Sequence, residues 1–200
     1  MALLTLTGFR AFPGVADNPT QALVEHFAAH PHALPADTRL ALLDVDYCAV
    51  GPMLDGLLAD PPAALILTGF SAAATAITLE AQASGLCAAD KPDICGFVAA
   101  ALDHPPLCTA LDLAHLHAVV EREAPCTISH DAGQYLCNYA YARALEQVAR
   151  RGLPTQVLFV HVPAIAGTPL AETSAASLAL EVMAAALARI AAELAYSPPL

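Results

Sequence analysis

The sequence predicts an α/β sandwich built on a mostly parallel sheet, and three observations predict it. Strand-like apolar runs alternate with helical stretches along the whole chain, the order that strand–helix–strand units require. The run "AALILTGF" is apolar throughout instead of alternating, as strands covered on both faces are. With 200 residues and a hydrophobic share of 57%, the chain can bury a substantial core as one domain, residues 1–200. Much of that apolar content is Ala, which favours helix and close packing. So apolar a chain can offset its ordering entropy, which argues against disorder.

The elements follow in order. "LLTLTGF" (residues 3–9) reads as the first strand, short and β-branched, ending at Gly8. After the loop "RAFPGVADNP", Pro19 or Thr20 opens a helix through "TQALVEHFAAH". "TRLALLDVDY" (38–47) reads as a second strand, "GPMLDGLLAD" (51–60) as a helix and "AALILTGF" (63–70) as a buried strand. From 85 to 106 the pattern dissolves into Gly, Pro, Asp and Cys, a long loop, with or without a short hairpin, of the kind that serves as a lid or binding loop. "CTISH" is a further strand, and 134–151 a helix that closes at Gly152, with Arg150 and Arg151 suiting its negative end. "TQVLFVHVP" (155–163) is the next strand, and 174–196 a long Ala-rich terminal helix. Neither an internal repeat nor a linker divides the chain.

Charge narrows the partners. A formal net charge of −11, from 19 acidic and 8 basic residues, argues against nucleic acid or an anionic membrane. "MALLTLTGF" lacks the basic start of a signal peptide, and the apolar terminal stretch carries Glu181, Arg189 and Glu193, which argues against a membrane span. The expected compartment is the cytoplasm, with Cys48, Cys87, Cys95, Cys108, Cys126 and Cys137 as reduced thiols. Cys87, Cys95, Cys108 and His104 could be combined into a zinc site, but the chain has no C-x-x-C pair, so no metal is expected.

Three residues stand where chemistry is expected in such a sheet, near strand ends. Cys137, in "DAGQYLCNYAYARAL", follows a strand and a Gly-containing turn and enters the first turn of a helix. His161 lies near the end of "VLFVHVP", and Glu80 in "AITLEAQAS", beyond the turn that leaves "ALILTGF". A cysteine attacks as thiolate, and a helix N-terminus and an imidazolium lower its pKa. A histidine takes the thiol proton and delivers one to the leaving amine, while a carboxylate on its other nitrogen fixes the tautomer. Plainer readings exist for each: a buried packing thiol, a hydrogen-bonded core histidine, a solvated carboxylate. Asp131 competes with Glu80 as the third member, or is a turn or cap residue.

Four stretches in order, "LTGFRAFPGVADNPT", "AITLEAQA", "SHDAGQYLCNYAY" and "VLFVHVP", resemble the pyroglutamyl peptidase I family of cysteine peptidases, the pyrrolidone carboxyl peptidases. That family reads TGF-x-PF-x-x-x-x-x-NP, then G-Q-A-G-G-R and P-E-R, then S-x-x-A-G-x-F/Y-V/L-C-N, and last F/L-I/V-H-V/L-P. "PDICG" similarly resembles its P-D-N-x-G. The resemblance implies an open three-layer α/β/α sandwich with a mostly parallel twisted sheet. It places the catalytic triad on Cys137, His161 and Glu80, and the pocket for the pyrrolidone ring on Phe9 and Phe12. Phe70, standing where the family has Gln, joins that substrate-binding set. A peptide with a pyroglutamyl-blocked N-terminus is the implied substrate, a homo-oligomer (often a tetramer) the implied assembly, and no metal or organic cofactor is implied.

The departures concentrate in the middle motif. Where the family has G-Q-A-G-G-R, the chain reads "GFSAAA": Phe70 replaces Gln, Ala72 and Ala73 replace glycines, and Ala74 replaces Arg. Ala81 stands for the Arg after Glu80, Gly85 for an Asn, and His130 and Asp131 for Asn and Thr. Phenylalanine cannot supply an amide's hydrogen bonds, and the lost arginines remove donors able to brace the wall or Glu80 itself. The expectation is a retained triad in a rebuilt surround. Three alternatives follow: the same acyl transfer on another small or cyclic N-terminal group, an inactive member acting as a binding protein, or a thiol redox sensor.

Overall fold

Leu-, Ile- and Val-rich segments pair into one six-stranded sheet in this computed structural model, which describes residues 4–102 and 104–196. In chain order the elements are β1 (Leu4–Phe9), α1 (Pro19–Ala29), β2 (Thr38–Leu43), α2 (Tyr47–Leu57), β3 (Ala64–Phe70) and β4 (Ile77–Glu80). There follow β5 (Gln82–Ala83), β6 (Leu107–Cys108), α3 (Leu113–Val120), β7 (Cys126–Ser129), α4 (Leu136–Arg151) and β8 (Gln156–Val162). The chain closes with β9 (Ala164–Ile165), β10 (Ser177–Leu178) and α5 (Leu180–Tyr196). Leu3, the first residue of the expected opening strand, lies outside the described residues.

The sheet order is β2-β1-β3-β8-β4-β7, and every neighbouring pair is parallel except β8–β4. Alternation along the strands divides the side chains between two faces. Leu4, Leu6, Ile66, Leu158 and Val160 pack on one face against α1, α3 and α5, through Phe27, Leu116 and Leu187. Leu65, Leu67, Val157 and Phe159 pack on the other against α2 and α4, through Leu54, Leu136 and Tyr141. The result is the expected three-layer α/β/α arrangement.

Several boundaries differ from the sequence expectation, each for a local reason. β2 stops at Leu43 and not at 47, because Asp46 caps α2: its side chain accepts the amides of Cys48 and Ala49, so the helix begins at Tyr47, ahead of the expected 51. α5 begins at Leu180 and not at 174, since the chain just ahead of it is held extended as β10, paired with β9. α4 begins two residues beyond the expected 134 and ends, as expected, at Gly152 in the left-handed conformation (φ 59°). The helix α3 and the strand β4 were not among the expected elements. The antiparallel β5–β6 pair brackets the long segment, which has no regular element between Ala83 and Leu107 among its described residues. Gly85 serves close packing there: a Cβ on it would lie 2.6 Å from the Leu102 carbonyl oxygen. Among the described residues, no helix is long and apolar enough to cross a membrane.

Candidate active site

β8 and β4 bring the first two groups together by register. His161 stands opposite Thr78 and Phe159 opposite Glu80, so Glu80 and His161 are diagonal neighbours on one face of an antiparallel pair. Their side chains meet, with Glu80 Oε1 2.7 Å from His161 Nδ1 and both groups buried. The strand-end expectation needs correction here. β4 runs against β8, so Glu80, at the carboxyl end of its own strand, reaches the imidazole across the pair and not along a shared edge.

Helix α4 supplies the thiol. Cys137 is its second residue and half-buried; the N-cap, Tyr135, is extended and offers no side-chain cap, leaving the positive end of the helix to the site. With Nδ1 engaged by Glu80, the other ring nitrogen of His161 serves the Cys137 thiol, its second hydrogen-bonding partner. Burial pulls the His161 pKa down, but the hydrogen bonds and charges of Cys137 and Glu80 outweigh it and push it up to about 9. Both neighbours thus favour the charged imidazolium over the neutral ring. Glu80 Oε2 is buried and has no hydrogen-bond partner among the described residues.

A residue that sequence reasoning missed holds the thiol in place. A Cβ on Gly69 of β3 would lie 2.7 Å from Cys137 Sγ and 2.7 Å from Phe159 Cζ, so only glycine leaves room for both. Its one sequence signal is the Gly that heads "GFSAAA", retained while the residues after it changed. Asp131, the competing third member, instead accepts the Gly133 amide at 3.0 Å within a turn, and Glu80 takes its place on the imidazole.

Two hollows meet at Cys137. One is small, about 60 Å³, and its lining includes Phe9, Phe12, Val45, Phe70 and Tyr135. Thus the three phenylalanines singled out in the sequence gather beside the thiol. Phe9 is anchored through its amide, which donates to Thr20 Oγ1 at 2.9 Å. Asn18 fixes the loop between Phe9 and α1, giving a hydrogen bond to the Arg10 carbonyl and accepting one from the Thr20 amide. The other hollow is a wide cleft of about 460 Å³, with Glu80, His161, Ser71, Gln134 and Lys91 in its wall. Lys91 belongs to the long segment, tied to this region where Ala88 donates to the Gln134 carbonyl and Tyr135 to that of Pro92.

The substituted positions divide between two faces. Ala73 and Ala74 line the wide cleft, Ala74 standing where the family has arginine. Ala81 is half-buried and packs against the α1/α3/α5 layer, on the side of the strand opposite Glu80. Three other thiols are held up in pKa. Burial pushes Cys126 up to about 11 and also raises Cys87, while the hydrogen bond to Asp46 raises Cys95. His104 Nδ1 contacts the Pro105 carbonyl, and Cys108 contacts Gln82. Among the described residues no cluster of three or more His, Cys, Asp or Glu side chains could hold a metal ion.

Comparison with known proteins decides the family, because the pyroglutamyl peptidase family matches residues 2–197. The chain belongs to the pyroglutamyl peptidase family. Its members are hydrolytic cysteine peptidases that act on N-terminal pyroglutamate. A pyrrolidone-carboxylate peptidase of Deinococcus radiodurans is 34% identical over 181 residues, covering 86% of this chain and 82% of the relative. One from Thermococcus onnurineus is 30% identical over 169 residues, covering 80% and 82%. Among solved structures, pyrrolidone carboxyl peptidase from Thermus thermophilus superposes with a TM-score of 0.80 at 30% identity, covering 95% of this chain and 98% of its own. Bacillus amyloliquefaciens pyroglutamyl peptidase I gives 0.85 at 25% identity, covering 97% of both chains.

Proposed function

We propose that this pyroglutamyl peptidase family member removes the N-terminal pyroglutamyl residue from peptides, with Cys137 as nucleophile, His161 as proton carrier and Glu80 as the group that orients and charges the imidazole. The observation that carries the reading is the buried imidazole held between Glu80 on Nδ1 and the Cys137 thiol at the junction of two hollows.

The ring of the substrate enters the small apolar hollow among Phe9, Phe12 and Phe70, where burial of a neutral lactam needs no charged anchor. The thiolate attacks the carbonyl that joins the ring to the next residue, and the carbonyl π electrons move onto oxygen. Amides at the uncapped start of α4 are placed to stabilise that oxyanion. As the intermediate collapses, the C–N bond breaks and His161 gives its proton to the departing amine, whose peptide leaves through the wide cleft. Neutral His161 then takes a proton from water, whose oxygen attacks the thioester and releases pyroglutamate and the thiolate. Every group in this cycle belongs to residues of the chain, so it invokes no metal or organic cofactor. The reading includes residues 1–200 as one functional unit working in the cytoplasm as a homo-oligomer, for which the exposed Ile94, Phe97 and Val98 of the long segment offer apolar surface.

Phe70 and Ala74 in the pocket walls favour a second reading, the same chemistry on another small or cyclic acyl group. Both readings meet in one experiment: hydrolysis of a pyroglutamyl amide with a fluorescent leaving group, by wild type and Cys137→Ala under reducing conditions. Turnover by the wild type and none by the variant is expected. A folded wild type without turnover overturns the first reading, and turnover of a different acyl amide in the same assay would establish the second.

A further inference from the structure

We propose that Tyr141 is a positioning residue that, together with Asn138, locks the nucleophile's helix to the strand carrying Glu80; the inference rests on the triad reading above. Tyr141 lies one turn beyond Cys137 on α4 and is fully buried. Its hydroxyl donates to the carbonyl of Glu80 itself, at 2.9 Å. Its ring packs on Phe159 with centroids 5.7 Å apart, and Phe159 packs on the His161 ring at 4.8 Å. Phe159 also meets the backbone at Gly69, the glycine that seats the thiol. One side chain thus shares a helix with Cys137, hydrogen-bonds the residue that carries the carboxylate, and supports the ring behind the imidazole.

Asn138 completes the lock three residues earlier on the same helix face. Also fully buried, it accepts the Ser84 amide at 2.8 Å and donates to the carbonyls of Ser84 and Leu86 at 2.9 and 3.0 Å. The run from Glu80 to Leu86 is therefore gripped at both ends by α4. The grip matters because cysteine, histidine and carboxylate come from three separate elements, and small misplacements of reacting groups are costly. Nothing in the triad's own contacts fixes α4 against β4 except through the imidazole between them.

Tyr141→Phe tests this, since it keeps the ring and its contact with Phe159 and removes only the hydroxyl. We expect kcat on the pyroglutamyl amide to fall on the order of tenfold with KM nearly unchanged. The alkaline limb of the kcat profile, set by His161, should move to lower pH, because a loosened Glu80 holds the imidazolium less firmly. The charged groups facing that ring are Glu80 from β4 and Cys137 from α4, with Lys91 and Asp131 in the same cleft wall. Tyr139→Phe, the same deletion on the same helix, serves as control and should keep wild-type kcat and limb.

A substrate-free measurement separates this inference from the triad reading. The ring-proton resonance of His161, assigned by its loss in His161→Asn, should titrate near pH 9 in the wild type and closer to neutrality in Tyr141→Phe. If the wild type does not hydrolyse pyroglutamyl amides but the midpoint still moves, the substrate reading fails and the positioning role stands. If Tyr141→Phe lowers Tm while kcat, limb and midpoint stay at wild-type values, Tyr141 is a packing residue only and the proposal falls.

Discussion

His161 is a histidine whose surroundings act against each other. Burial alone would leave it neutral, yet Cys137 and Glu80 lift its pKa from the ordinary 6.5 to about 9. On the proposed mechanism, an imidazole so raised carries the proton that the departing amine takes. Activity should accordingly hold from neutral pH to about 8 and fall through about 9, as His161 loses the proton that the leaving group needs. A pH series of kcat reads this directly. Glu80→Gln keeps the shape and removes the charge, so it should lower kcat on the order of a hundredfold and shift the alkaline limb to lower pH. An unshifted limb would mean that Glu80 does not act on the imidazole.

Elements meet at this site through one missing side chain. Because β3 passes so close to α4, Gly69→Ala must displace either the thiol or the Phe159 ring. The expected outcome is a loss of kcat of about a hundredfold in a protein that still folds, read by kinetics beside a melting curve. The far end of α4 supplies the contrast. Gly152→Ala places a side chain in the left-handed region and should cost about 1 kcal/mol, visible as a lower Tm with kcat unchanged. α4 was legible in the sequence because its stop signal is contiguous: Arg150, Arg151, then Gly152. α3 was not, since its short "LAHLHAVV" is helical chiefly through burial of Leu113, Leu116 and Val120 in the α1/α3/α5 layer. β4 was missed for a related reason: four residues carry too little pattern, and its partner β8 lies some eighty positions further on.

At the scale of the whole molecule, His161 couples folding to pH. A histidine whose pKa is raised on folding stabilises the native state fully below its unfolded value, and that contribution disappears as pH rises through the folded value. For His161 the window runs from 6.5 to about 9. Urea unfolding across this range should show the wild type losing stability as pH rises, and Glu80→Gln losing less of it. Equal losses would show that the His161–Glu80 pair does not contribute. The same buried pair spans β8 and β4, the antiparallel junction at which the last two strands join the rest of the sheet.

The sequence by itself determined the alternation of strands and helices, the capping of α4, the three residue types suited to acyl transfer and the motifs of the family. Those features are written in neighbouring residues, where propensity, caps and side-chain alternation act within a few positions. Only the tertiary structure decided that Glu80 and not Asp131 meets His161, that β4 runs antiparallel to β8, that Ala81 faces away from the site, and that Gly69 and Tyr141 hold the thiol's helix. Register and direction arise from burying two faces of a sheet at once, a condition shared by residues far apart in the chain and visible in no single stretch of it.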